Sequence, residues 1–141
     1  MNFTKLKLRI KKNEGYSRLP YKDQLGYHTI GYGHLIKKNE KLYFKKKFKK
    51  QYFEKLFDSD FNKCLIVYKK IFYKKSHTRN EKELLIEMLF QLGPSGLLKF
   101  KKMLYYLSKK QKYMVGLEMI DSLWYKQTPK RVNNLIKNFI K

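Results

Sequence analysis

Four of the chain's seven glycines, Gly15, Gly26, Gly31 and Gly33, crowd into one N-terminal stretch. Tight backbone turns are therefore concentrated there, because glycine reaches positive φ without a Cβ clash. Glu14 stands before the first of them, and Asp23 follows nine residues later (23 − 14). Thr29, Ile30 and Tyr32 then alternate in a Tyr- and Gly-rich segment, so residues 16 to 36 read as β-hairpin material. Two readings of Asp23 follow from the residues alone. It is either a turn residue whose side chain bonds its own backbone, or one of a pair of carboxylates that a tight turn brings together. A pair of that kind suits glycosidic-bond hydrolysis, in which one acid protonates the leaving oxygen and the other activates water.

The full stretch reads Asn13-Glu14-Gly15-Tyr16-Ser17-Arg18-Leu19-Pro20-Tyr21-Lys22-Asp23, then Gln24-Leu25-Gly26-Tyr27-His28-Thr29-Ile30-Gly31-Tyr32-Gly33-His34. It resembles the catalytic segment of the phage-type lysozymes, E-G, R-L, Y-x-D and G-x-x-T-I-G-x-G-H. A second match lies near the other end, where Ser122-Leu123-Trp124-Tyr125-Lys126-Gln127-Thr128-Pro129-Lys130-Arg131 resembles the family's S-x-W-Y-x-Q-T-P-x-R. Between them, Leu56-Phe57-Asp58-Ser59-Asp60 and Phe90-Gln91-Leu92-Gly93 followed by Gly96 resemble L-F-x-x-D and F-Q-x-G-x-x-G.

The 141 residues carry 43% hydrophobic side chains, enough for a real core, and a net charge of +23. Such charge invites a nucleic-acid reading. Only four of the 34 basic residues are arginine (Arg9, Arg18, Arg79, Arg131), however, and base readout favours the arginine fork. The chain has no alanine and is rich in Lys, Asn, Ile, Tyr and Phe, the residues of AT-rich codons, so base composition offers a second source of the charge. Specific nucleic-acid binding is not expected, and anionic cell-envelope polymers are an equally good partner. Cys64 is the single cysteine. It excludes an intrachain disulfide and is expected as a small buried hydrophobe on a helix. The lysine-studded N-terminus gives no signal-peptide pattern, and no apolar run approaches the ~20 residues of a membrane span.

Taken in order, residues 3 to 12 read as a short helix ending near Glu14, where the dipole favours a protonated acid. A lysine-dense stretch runs from residue 37 to 50. Phe53, Leu56, Phe57, Phe61, Cys64, Leu65, Tyr68, Ile71 and Phe72 repeat at helical steps and predict one long amphipathic helix. Asn80 is the expected N-cap of the next helix, which ends at Gly93. Helices over residues 97–107 and 109–122 follow, the second with Tyr113, Leu117 and Ile120 inward. Thr128 and Pro129 open a last helix with Val132, Leu135, Ile136, Phe139 and Ile140 on its apolar face. Trp124 is expected in the core.

The resemblance implies a mostly helical α+β chain, a single lysozyme-like domain over 1–141. Its small β-hairpin lobe would span about 14–50 and its helical lobe about 1–13 and 51–141, joined by the long helix across a cleft. It further implies cleavage of the β-1,4 bond between N-acetylmuramic acid and N-acetylglucosamine of bacterial peptidoglycan, with inversion. Glu14 would be the general acid, and Asp23 with Thr29 would orient the water. Gln91, Gly33 and Tyr32 would meet substrate, Arg131 would hold Glu14, and His34 would pair with Asp60. No cofactor and no metal are needed, and a monomer is expected. The enzyme would wait in a host cytoplasm until lysis. A non-catalytic peptidoglycan-binding module on the same fold is the leading rival reading, which loss of the acid pair would mark, and a basic nucleic-acid-binding helical protein is the second.

Overall fold

The computed structural model describes residues 2–141, of which 64% are helical, with seven helices and one small antiparallel sheet. The mostly helical α+β class expected from the sequence is what forms. The chain groups into two compact units, one up to Lys63 and one over Cys64–Lys141.

In the first unit, α1 (Thr4–Glu14) buries Leu6 and Ile10, one turn apart on one face. Three strands follow, β1 (Ser17–Lys22), β2 (His28–Gly31) and β3 (His34–Leu35), in the order β1-β2-β3. Pro20 sits in β1 inside an irregularity of register between Ser17 and Tyr21, the place a residue without an N–H is tolerated. A 3-10 helix, Lys41–Phe44, turns the chain into α2 (Lys50–Ile71). The sheet packs on α2 through Ile30, Tyr43 and Phe53, with Tyr32, Ile36, Phe48 and Leu56 around them. Gly31 makes that packing possible, since a methyl group there would lie 2.8 Å from the Phe53 ring. The predicted long helix is α2, and it runs through the boundary between the units.

The second unit contains the rest of α2 and then α3 (Arg79–Leu98), α4 (Lys101–Ser108), α5 (Lys112–Ile120), α6 (Leu123–Gln127) and α7 (Pro129–Phe139). Its core is drawn from Leu84, Leu85, Met88, Leu97, Met103, Val115, Trp124 and Val132, among others. Three expectations are corrected here. The N-cap of α3 is Thr78, not Asn80: Thr78 and Glu81 form a reciprocal capping box, and Asn80 instead donates to the carbonyls of Phe139 and Lys141 at 3.3 and 3.2 Å. The segment predicted as one helix from residue 97 splits, because Leu97 and Leu98 close α3 beyond a kink at Gly93 (φ 73°, ψ 173°) and α4 begins only at Lys101. Finally, α5 is turned over. Val115, Gly116 and Met119 are buried, while Tyr113, Leu117 and Ile120 are exposed. Cys64 is only half-buried.

Candidate active site

Glu14 is the last residue of α1, and Gly15 behind it takes φ 72° as its N–H closes on the Lys11 carbonyl at 3.0 Å. The acid thus sits at the partially negative end of a helix. The β2–β3 turn presses on it from the sheet. Gly33 lies at φ 80°, and a methyl group on it would be 2.8 Å from the Glu14 Cδ. Only glycine gives the turn that backbone and leaves the carboxyl its space.

A buttress holds this arrangement. Lys11 of α1 pairs with Glu54 of α2, and its ammonium lies 5.1 Å over the Tyr32 ring and 5.0 Å over that of Phe57. The Tyr32 hydroxyl donates to the other oxygen of Glu54 at 2.6 Å. Lys11 first, then Tyr32, hold the Glu54 carboxyl below its ordinary range. Burial, then Glu54, push the Tyr32 phenol up to about 12, so it remains a donor. The Tyr32 hydroxyl, expected at the substrate, is thus engaged by α2. Neither Lys11 nor Glu54 was legible as part of the site, because their contact spans 43 residues.

Asp23 opens the β1–β2 turn. Its Oδ1 accepts the N–H groups of Leu25 and Tyr27, each at 2.9 Å, and Gly26 follows at φ 85°. The turn-residue reading of Asp23 is therefore realised, and it fixes the carboxylate. With Oδ1 committed to the turn, Oδ2 is the oxygen left for chemistry. Tyr21 stands opposite Thr29 in the ladder, so the two side chains share one face of the sheet. Burial first, then the charge of Glu14, then that of Asp23 raise the Tyr21 phenol. Thr29 is buried, and its Oγ1 donates to the Tyr27 carbonyl at 3.0 Å. Its proton being spent, Oγ1 has only lone pairs to offer.

His34 joins the sheet to α2 as expected, Nδ1 to the Asp60 carboxylate at 2.8 Å. The structure adds a second acid, Glu40, 3.1 Å from Nε2. Burial alone would lower the imidazole, but Asp60 and Glu40 outweigh it and raise the pKa above the ordinary 6.5. Two acceptors on two ring nitrogens require a doubly protonated ring.

The remaining expected residues lie in the second unit. Gln91 is half-buried on α3 two residues before the kink, its Oε1 buried without a hydrogen-bond partner. Arg131 is half-buried in the first turn of α7. Trp124 is buried against Phe100, with ring centroids 5.8 Å apart. Among the described residues no three His, Cys, Asp or Glu side chains are grouped to hold a metal ion. No helix among them is long and apolar enough to cross a membrane.

The phage lysozyme family model matches residues 11–138. The chain belongs to the phage lysozyme family. Two relatives in Dictyostelium discoideum agree. The protein named probable T4-type lysozyme 2 is 32% identical over 163 aligned residues, covering 95% of this chain and 92% of that one. Probable T4-type lysozyme 1 is 31% identical over 150, covering 90% and 88%. The chain is accordingly an enzyme of the lysozyme type, a lysozyme-like glycoside hydrolase.

Proposed function

We propose that this lysozyme is a muramidase that hydrolyses the β-1,4 bond between N-acetylmuramic acid and N-acetylglucosamine of bacterial peptidoglycan, with inversion. The observation that supports the reading is Glu14 at the end of α1 against the Gly33 turn, in one unit with the turn-anchored Asp23 and with Thr29 buried on β2. Glu14 gives its proton to the glycosidic oxygen as the C–O bond breaks. A water on the other face donates one hydrogen bond to Asp23 and one to Thr29 Oγ1, so its free lone pair faces the anomeric carbon. Asp23 takes the water's proton as the new C–O bond forms, and solvent returns both acids to their starting states. Asp23 also offsets the positive charge that builds on the sugar.

Proton transfer and charge stabilisation supply this catalysis, and no cofactor is called on. The biological setting that fits the sequence reading is release of phage from a host. A second setting keeps the same chemistry: the two relatives named above belong to Dictyostelium discoideum, not to a phage, which favours digestion of bacterial walls.

The test is hydrolysis of purified peptidoglycan by the wild type and by Glu14→Gln, with new reducing ends counted and the fresh anomer read by proton NMR. The expected result is a drop of ~10²-fold or more in the variant and an initial α-product. A fully active variant removes Glu14 from its role. An initial β-product makes Asp23 a nucleophile and ends the water-orienting role of Thr29.

A further inference from the structure

The eight lysines of residues 37–50 are all exposed, and Glu40 is the single acid among them. That acid is already engaged, accepting from the Lys37 N–H at 2.9 Å and facing the His34 ring. The segment therefore presents nearly undiluted positive charge.

Charge is only half of what this surface shows. The 3-10 helix Lys41–Phe44 is pinned by Tyr43, which is buried, bonds the Tyr52 hydroxyl at 2.7 Å and packs on the rings of His34 and Phe48. Its neighbours on either side are turned outward, Leu42 at 55% and Phe44 at 51% exposure. Phe44 is held edge-on to His28 with centroids 5.2 Å apart, and His28 is paired across the ladder with Lys22. Two large apolar side chains thus stand exposed among lysines, on residues that the catalytic arrangement does not use.

We propose that this face of the N-terminal unit docks on an anionic lipid bilayer, with Leu42 and Phe44 in the headgroup boundary and the surrounding lysines on anionic headgroups. The combination selects the partner. A soluble polyanion answers the lysines but offers nothing to Leu42 and Phe44, and a neutral glycan answers neither. An anionic bilayer surface supplies both a negative potential and an apolar layer just beneath it. Because Tyr43 sets the turn, the two side chains need little ordering on contact.

The test is co-sedimentation with vesicles of phosphatidylcholine alone and of phosphatidylcholine mixed with phosphatidylglycerol. It compares the wild type, the variant Leu42→Ser/Phe44→Ser and the variant Lys45→Gln/Lys46→Gln/Lys47→Gln. The wild type should sediment with the mixed vesicles and not with the neutral ones. The apolar variant should lose about tenfold or more of its vesicle affinity, while keeping its binding to soluble polyphosphate and its peptidoglycan hydrolysis. The lysine variant should lose vesicles and polyphosphate together. Undiminished vesicle binding by the apolar variant would overturn the proposal and leave a site that reads charge alone. Equal binding of the wild type to neutral vesicles would overturn it as well. Circular dichroism reports the fold, and Leu42→Ser alone repeats the comparison if the double variant unfolds.

Discussion

Gly33 does two things that no other residue can do together. It takes φ 80° and leaves room for the Glu14 carboxyl. Gly33→Ala adds strain of ~1–3 kcal/mol for a side chain at positive φ and pushes directly on the acid. Turnover on peptidoglycan should fall by about tenfold or more, and the urea midpoint should fall with it. A variant that loses stability but keeps full turnover would show that the contact with Glu14 does not matter. His34 makes a pH-dependent clasp whose sign can be worked out. Its folded pKa lies above the ordinary 6.5, so its contribution is complete below that value and is lost as pH rises through the raised one. Glu40 is the opposite case. Burial opposes its ionisation, but the Lys37 N–H and His34 outweigh burial and hold it below 4.5, so its share is lost in acid, as pH falls through that lowered value. The stability gap between wild type and His34→Asn, read by urea unfolding, should be widest between about pH 4.5 and 6.5 and narrow on the alkaline side. A gap that stays flat across pH would leave the clasp without a charged imidazole. Asp60 was legible as its partner through the L-F-x-x-D resemblance. Glu40 was not, because nothing in a loop six residues away announces that it will fold back.

At the level of elements, the sequence was most informative where one apolar stripe met one cap. The apolar steps from Phe53 to Phe72 predicted α2 within a few residues of its observed bounds. They failed on α5, where apolar residues occupy both faces. Tyr113, Leu117 and Ile120 keep helical spacing as well as Val115 and Met119 do, so spacing alone does not say which face goes inward. At α3 two good cap residues, Thr78 and Asn80, stand two apart. Each has an acid three residues on, Glu81 and Glu83, and the bonds formed settle the choice: the Glu81 carboxylate accepts from the Thr78 N–H at 2.7 Å, and the Thr78 hydroxyl accepts from the Glu81 N–H at 3.2 Å. Thr78→Ala should therefore cost ~1 kcal/mol in urea unfolding, and Thr78→Ser should restore most of it. An unchanged midpoint in Thr78→Ala would move the start of α3 elsewhere. Lys110 adds a second tie at this end, reaching Glu81 at 2.7 Å and the Ser76 carbonyl at 3.0 Å.

Over the whole molecule, the charge of +23 sets a field that salt can reach. Screening shortens the range of surface charges to about 8 Å at physiological ionic strength. Lysis of whole bacteria should therefore weaken steeply as salt is added, whereas cleavage of short neutral chitin-like oligomers should hardly change. Equal sensitivity for both substrates would assign the lysines to an ordinary solvated surface. The α+β class could be read from the order of motifs alone, but the division of labour along the chain could not. Glu14, Tyr21, Asp23, Thr29 and Gly33, with their supports Lys11, Glu54, Glu40 and Asp60, all precede Cys64. Gln91 and Arg131 come after it. A single exchange of coding sequence upstream of Cys64 would carry those residues and their scaffold together, and one downstream would replace Gln91 and Arg131 alone. Descent can therefore revise the two halves at different speeds.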